Sequence, residues 1–416
     1  MSARRVALVL ASSTGGIGRH VASLAEGLVA LGDDVTVFGP AATGEHFDFA
    51  GTGAEFVAVE MPTGERAARP AAAAAPVYPA TSTKLGDREA GNPATPMMSR
   101  SEEVGMPAAV RALRRALREW RPEVVHAHGL RAGLVAAAAR RGPLLLGARA
   151  AVPLVVTWHN AVLAGGLHGR VLGFAERRVA RTADVTLGAS NDLVARARKL
   201  GARHATLGEI AAPPLPPPLR DPAAVCAEFG AAPGQPVVLS VGRLHPQKGY
   251  PVLIEAAARW RTRTPPPVVI IAGSGPEYLA LAAQASATRA PVTLTGHRSD
   301  VADLLAAADV AVVSSVWEAR QLFAQEALRA GVPLVATAVG GLPDLVGDAA
   351  VLVPAGSVDA LDAAVTGLLD NPARRRDLAS RGVARSRQWP TEEQTVLRVR
   401  EVYAGLGARR APVAGV

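Results

Sequence analysis

Arg243 and Lys248 stand five residues apart in Ser240-Val-Gly-Arg-Leu-His-Pro-Gln-Lys-Gly249, directly after the apolar run Val237–Val241. Two fixed cations on a loop entering a helix, beside free backbone N–H groups, make a receptor for a diphosphate. The same spacing also suits a solvated basic turn. A second group lies in Trp317-Glu-Ala-Arg-Gln-Leu-Phe-Ala-Gln-Glu-Ala-Leu-Arg-Ala-Gly331. Glu318 sits where the strand Val310–Val313 gives way to a helix, and Glu326 follows about two turns later on a largely apolar stretch. Carboxylates facing a cleft accept the paired hydroxyls of a ribose or hexose without a metal. Taken singly, one also fits a helix-start charge and the other a surface charge.

These residues need elements to hold them, and the hydrophobic pattern supplies an α/β arrangement. Val6–Leu10 reads as a strand buried on both faces, and Gly15, Gly16 and Gly18 make a tight turn. Val21, Leu24, Leu28 and Leu31 then recur at helical spacing, Gly32 ends the helix, and Asp34–Phe38 is the next strand. The Gly-rich loop therefore lies at the carboxyl end of the first strand, where open α/β sheets bind ligands. A helix over Pro107–Trp120 and strands at Val124–His128, Leu154–His159 and Ala183–Ala189 complete the first half. The second half alternates strands at 237–241, 268–272, 292–294, 310–313 and 334–336 with helices that include 250–260 and 278–287. Such alternation implies parallel sheets covered by helices.

The pattern divides the chain into a domain over 1–212, a proline-rich linker over 213–236, a second domain over 237–390, and a closing helix and tail over 391–416. The closing helix, Glu392–Leu406, is long enough to cross back onto the first domain. Residues 62–107 are rich in Ala, Pro, Thr, Ser and Gly without a sustained period, and read as a low-complexity insert.

At 416 residues, 49% of them hydrophobic but only 4% aromatic, the chain suits two domains with Val/Leu/Ala cores. Cys226 is the only cysteine, which excludes an internal disulfide and a four-cysteine zinc site and fits a cytoplasmic setting. The net charge of +9 favours anionic partners such as nucleotide diphosphates or phospholipid surfaces. Aromatic and basic residues do not interleave, so nucleic acid is not expected. Met1–Ala11 imitates a signal peptide but ends in Ser12-Ser-Thr-Gly-Gly16, which favours a first strand. No stretch of apolar residues is long enough to span a bilayer. In Val110–Arg121, Arg111, Arg114, Arg115 and Arg118 recur opposite Val110, Leu113, Leu117 and Trp120. That helix fits a solvated face of a sheet-covering helix, or a peripheral contact with the inner face of a membrane.

Together the two segments resemble family 4 retaining glycosyltransferases of the GT-B fold. Gly242–Gly249 matches a Gly-Arg-Leu-x-Pro-x-Lys-Gly loop, Glu318–Ala336 a Glu-x7-Glu block followed by Gly-x-Pro, and Gly15-Gly16 an N-terminal Gly-Gly loop. The resemblance implies two Rossmann-like doubly wound domains facing a central cleft, and it covers nearly the whole chain apart from the insert. It implies a nucleotide-diphosphate sugar, UDP- or GDP-linked, as donor, with a carbohydrate, lipid or small molecule as acceptor. Arg243 and Lys248 would hold the diphosphate, Glu318 would touch the transferred sugar and Glu326 the ribose. His159, in Thr157-Trp-His-Asn160, matches the family's cleft histidine near the reacting sugar. His126 and His128 are further cleft candidates. Gly15, Gly16, Gly242, Gly273, Gly275, Arg298, Gln321 and Leu322 complete the implied donor-binding set.

Ala319 and Gln321 stand where the family usually has glycine, so a bulkier wall beside the sugar is expected. Ile210-Ala-Ala-Pro-Pro214 replaces the family's Asn-Gly-Val-Asp turn. No Asp-x-Asp triplet occurs, so no metal or other cofactor is expected, and leaving-group charge would fall to Arg243, Lys248 and helix dipoles. Retention would proceed by front-face attack. A glycogen-synthase-like polymerising transferase, a nucleotide-sugar epimerase and a non-catalytic nucleotide-sugar-binding protein are the rival readings.

Overall fold

The computed structural model describes residues 3–13, 15–62, 104–140, 151–163 and 165–408. Two wholly parallel sheets carry the fold. The first contains β1 (Arg5–Leu10), β2 (Asp34–Gly39), β3 (Glu55–Ala58), β4 (Val124–His128), β5 (Leu154–Trp158), β6 (Val185–Gly188) and β7 (Ala205–Leu207), in the order β3-β2-β1-β4-β5-β6-β7. The second contains β8 (Val237–Val241), β9 (Val268–Ala272), β10 (Val292–Gly296), β11 (Val310–Val313), β12 (Leu334–Thr337) and β13 (Ala350–Val353), in the order β10-β9-β8-β11-β12-β13. Central strands such as β4, β5, β11 and β12 are buried along their whole length, as their largely apolar composition requires once helices cover both faces. This is the α/β architecture of two Rossmann-like domains.

β3, β7 and β13, which the hydrophobic pattern does not single out, are all sheet edges. An edge strand is short and partly solvated, so it carries little of the periodic signal. β3 is half-exposed along its length, and β7 has only three residues. The segment 213–236 is more than a linker. Asp221 accepts a hydrogen bond from Ala223 N at 3.1 Å and Pro222 occupies the first turn of the helix Pro222–Glu228, whose Val225 is fully buried in the second core. Of the low-complexity stretch, residues 63–103 lie outside the described residues; the helix that follows begins at Met106.

The last helix, Glu392–Ala408, lies against the first one, Gly16–Ala30. Its Val396, Val399, Tyr403 and Leu406 enter the core formed by Val21, Leu24, Ala25 and Leu28. Each buried aliphatic side chain there contributes about 1.5–3 kcal/mol. Arg400 donates to Asp33 Oδ1 at 3.2 Å, which fixes the helix along its axis. Among the described residues no helix is long and apolar enough to cross a membrane.

Candidate active site

In both sheets the strand order reverses beside the first strand: between β1 and β4, and between β8 and β11. A crevice opens where connections from two adjacent strands leave in opposite directions, and ligands of open α/β sheets sit there. The loops after β1 and β5 carry Gly15–Gly16 and His159, and His128 is the last residue of β4. The loops after β8 and β11 carry Arg243–Lys248 and Glu318.

The two loops of the second sheet form one surface. Val316 N donates to Gln247 O at 2.8 Å, Gln247 Nε2 to Trp317 O at 2.9 Å, and Ser314 Oγ to Lys248 O at 2.9 Å. Lys248 Nζ meets Glu318 Oε1 at 2.6 Å, and Ser315 Oγ donates to the same oxygen at 2.7 Å. Both side chains of the ion pair are largely buried, so the lysine is aimed rather than free to wander. Gly249 closes the turn at φ +63°, and a Cβ there would meet Ser314 O at 2.1 Å, so only glycine lets the loops approach this closely. Arg243 is exposed, with no ion-pair partner among the described residues.

Gly273 and Gly275 stand behind that loop. A Cβ on Gly273 would meet Gly242 O at 1.9 Å and one on Gly275 would meet Leu244 O at 2.3 Å, while Leu244 N donates to Ser274 O at 2.9 Å. These glycines brace the backbone that presents Arg243. Arg298 is committed elsewhere: its guanidinium binds Asp300 Oδ1 at 2.7 Å and Glu228 Oε1 at 2.7 Å and lies over the Phe229 ring. Its charge secures the helix Pro222–Glu228, and only the turn Gly296–Arg298 lies near Gly273, whose N–H donates to Gly296 O at 2.7 Å.

Gln321 does not wall the sugar side with a free side chain. It caps the helix Leu322–Arg329, its Oε1 accepting from Ala324 N at 2.7 Å, and is itself buried. Gly341 N donates to Glu318 O at 2.8 Å and so supports the neighbouring backbone. Glu326, on the next turns of the helix, is 7% exposed. Burial raises its carboxyl above the usual range, and the charges of Arg19 and Arg329 pull it partly back. Arg19 belongs to the first domain, as does Gly16, where an added Cβ would meet Leu322 Cδ1 at 3.0 Å. The Gly-Gly loop therefore rests on the start of the helix Leu322–Arg329.

The opposite wall is made of histidines. His128 Nδ1 and His159 Nε2 share a hydrogen bond at 3.2 Å, His126 Nδ1 shares one with Tyr403 Oη at 2.6 Å, and His126 Nε2 one with Thr157 Oγ1 at 2.7 Å. His20 packs edge-on to the rings of His128 and His159, 5.6 Å from each. All four are buried. Burial lowers His20 to about 4 and His126 to about 3, and His128 and His159 lie well below the usual value, with the neighbouring imidazoles adding to the shift in the last three. The cluster is therefore neutral near pH 7, able to exchange hydrogen bonds without carrying charge. His128 Nε2 and His159 Nδ1 are buried without a hydrogen-bond partner among the described residues. Among those residues no group of three or more His, Cys, Asp or Glu is arranged to hold a metal ion.

The structure thus brings together His159 with His126 and His128, Lys248 with Glu318, and Gly16 with Leu322. His20, Arg19 and Tyr403 are additions. His20 lies four residues after Gly16 on the same helix face, a signal present in the sequence. Tyr403 is 277 residues from its histidine partner and carries none.

Two doubly wound domains, each presenting its strand ends to the other, with paired cation and carboxylate on one side, define a two-domain architecture with a candidate ligand crevice at the switch points. Residues 226–385 match the model of "Glycosyl transferases group 1", and residues 15–207 match "Glycosyl transferase 4-like domain". The chain belongs to the group 1, family 4 type of GT-B glycosyltransferases. It is 31% identical over 300 residues to a D-inositol 3-phosphate glycosyltransferase of Segniliparus rotundus, covering 66% of this chain and 64% of that protein. It is 36% identical over 284 residues to a glycogen synthase of Mycobacterium tuberculosis, covering 64% of each. A 2-deoxystreptamine N-acetyl-D-glucosaminyltransferase of Streptomyces fradiae is 31% identical over 291 residues, covering 64% of this chain and 67% of that protein. The chain thus spans just under two thirds of the length of the first two. Among solved structures, a sucrose-phosphate synthase of Thermosynechococcus elongatus superimposes with a TM-score of 0.73 at 20% identity, over 98% of this chain and 100% of that one. The Anabaena protein Alr3699/HepE, in complex with UDP-glucose, does so with a TM-score of 0.70 at 18% identity, over 98% and 100%. At those identities the likeness is one of fold.

Proposed function

We propose that the chain moves a hexosyl group, with retention and without a metal ion, from a UDP- or GDP-sugar to a hydroxyl-bearing acceptor. The observation that carries this reading is the joint surface of Arg243, Lys248 and Glu318, with Glu326 on the following helix. Arg243 and Lys248 hold the diphosphate and offset the charge that builds on the departing oxygen. Glu318, steadied by Lys248 and Ser315, accepts hydroxyls of the sugar; Glu326 accepts the ribose. The acceptor oxygen attacks the anomeric carbon from the face the diphosphate leaves. The bond from that carbon to the phosphate oxygen breaks as the new glycosidic bond forms, and the acceptor proton passes to the released phosphate. The buried positions at His128 Nε2 and His159 Nδ1 suit a sugar or acceptor hydroxyl, which would satisfy them.

UDP-glucose in the Anabaena neighbour supports a uridine donor, and the relatives' names point to acceptors as different as inositol 3-phosphate and 2-deoxystreptamine. The glycogen synthase relative supports a polymerising transferase as the second reading. Nucleotide release from a panel of UDP-, GDP- and ADP-sugars tests the proposal. We expect slow hydrolysis of one UDP- or GDP-sugar, unchanged by EDTA. Hydrolysis that EDTA abolishes would remove the metal-free mechanism, and no release from any donor would remove the activity. Product chain length separates single from repeated transfer.

A further inference from the structure

We propose that the outward face of the helix Gly166–Thr182 docks the protein on an anionic lipid surface. The inference goes beyond the proposed transfer reaction and does not rest on it. Leu167, Val171, Phe174, Arg178 and Arg181 follow one another at alternating steps of four and three, so they share one stripe of the helix. Three large apolar side chains on it lie in solvent: Leu167 is 77%, Val171 60% and Phe174 70% exposed. Leu163, on the loop leading in, is 53% exposed. The opposite face, with Glu176, Val179 and Ala180, is buried. A soluble helix normally buries its apolar stripe; this one buries the other side.

Charge identifies the occupant. Arg178 and Arg181 continue the stripe, and Arg170 and Arg177 flank it, all exposed. The helix has a single acid, Glu176, which is buried and paired with Arg196 at 2.5 Å. The two helices packed on it, Leu130–Ala139 and Asn191–Lys199, add exposed Arg131, Arg198 and Lys199. Their one acid, Asp192, accepts from Trp317 Nε1 at 3.0 Å. An apolar half that can enter the acyl boundary, continued by arginines whose stems reach up to the headgroups, matches an anionic interface. A second copy of this face would bring more arginine and no acid. The basic helix Met106–Trp120 is built differently. Its Leu113 and Leu117 are buried against the sheet, Arg114 Nη2 donates to Ala138 O at 2.7 Å, and Arg115 pairs with Glu119 at 2.9 Å. It offers cations but no apolar stripe. The docking helix begins in the loop leaving β5, whose end carries His159, so a lipid surface at this helix lies beside the first-domain side of the cleft.

Co-sedimentation of the full chain with vesicles of phosphatidylcholine containing about 30 mol % phosphatidylglycerol, at low salt, tests the proposal. We expect binding that falls at least tenfold for Leu167→Asp with Phe174→Asp, and less than threefold for Arg111→Gln with Arg118→Gln. Pure phosphatidylcholine vesicles should bind weakly. The substituted side chains are exposed, so the melting temperature should be unchanged. Absence of binding to the anionic vesicles overturns the proposal, as does binding lost only with the Arg111 and Arg118 variants. A concentration-dependent dimer that the Asp variants dissociate would assign the face to self-association instead. Donor hydrolysis without vesicles should be the same in all variants, which keeps this test separate from that of the transfer reaction.

Discussion

The two sheets bring opposite chemistry to one cleft. The strand ends of the second present charge: exposed Arg243, the Lys248–Glu318 pair at 2.6 Å and the buried carboxyl of Glu326. Those of the first present His126, His128 and His159, joined by His20 from the helix Gly16–Ala30, and burial keeps all four imidazoles neutral near pH 7. A diphosphate calls for fixed positive charge, whereas a sugar or acceptor hydroxyl calls for hydrogen-bonding groups that cost nothing in charge desolvation. The charged wall is held by bonds between its own two loops. The neutral wall is held from outside, by Tyr403 on a helix that returns from the far end of the chain.

On that division the largest effect belongs to Lys248. Lys248→Ala removes the buried cation and leaves Glu318 without its partner, so transfer should fall by about 10²–10³ in kcat, as for loss of a transition-state donor. The protein should stay folded by circular dichroism. Wild-type kcat in the folded variant would break the assignment of the charged wall. Glu326→Ala should act on binding instead. Hydrogen bonds to a charged group contribute about 1.5–3 kcal/mol, so the Kd for the free nucleotide diphosphate should rise roughly 10- to 100-fold. Titration calorimetry checks this, and an unchanged Kd would remove Glu326 from the ribose site.

The neutral wall gives a stability signature that the charged wall does not. Unfolded histidines bind a proton below about pH 6.5, whereas His20 and His126 resist doing so in the fold until about 4 and about 3. Their contribution is therefore complete above about pH 6.5 and drains away as pH falls towards the folded values. Each histidine can cost up to about 1.4 kcal/mol per pH unit in that window. The melting temperature should drop on acidification from about pH 7 to 5, and the slope should be shallower in His20→Asn. A flat profile over that range would mean that the imidazoles are not buried as neutral groups.

How much of this could be read from the sequence follows the same division. The Arg243–Lys248 loop and the Glu318–Glu326 block are local: the candidate residues lie within one loop and one helix start, so their spacing can be read along the chain without knowing the fold. Strands β9 and β11 were legible end to end because a doubly buried strand is a continuous apolar run, and β4 and β8 because only His126, His128 and Ser240 interrupt theirs. The histidine cluster is not local. His126, His128 and His159 sit visibly at strand ends, but His20 joins them only because its helix is folded over the sheet ends. Gln321 hid its role because glutamine is not a common N-cap, so it read as bulk beside the sugar rather than as a side chain turned back on its own helix. The Asp221-Pro222 helix start was present in the sequence and was obscured by the prolines around it.

The smallest expected effect concerns the tie between the last helix and the neutral wall. Tyr403 Oη shares a 2.6 Å hydrogen bond with His126, which in turn holds Thr157 on β5, one strand over. Burial holds the tyrosine proton in place well above its ordinary range, so near neutral pH the hydroxyl stays protonated beside the neutral imidazole. Tyr403→Phe keeps the ring in the core beside Val396 and Leu406 and deletes only the hydroxyl, leaving His126 Nδ1 unsatisfied. Stability should fall by about 1–3 kcal/mol, the cost of an unpaired buried group. Because the His126 ring lies tilted against His128, 4.3 Å between centroids, and His128 bonds His159, the loosened ring should also lower kcat severalfold while the Kd for the nucleotide diphosphate stays at its wild-type value. A loss of stability with kcat unchanged would reduce Tyr403 to a packing residue. A change in nucleotide affinity would show that the two walls are not separable in the way the charge distribution suggests.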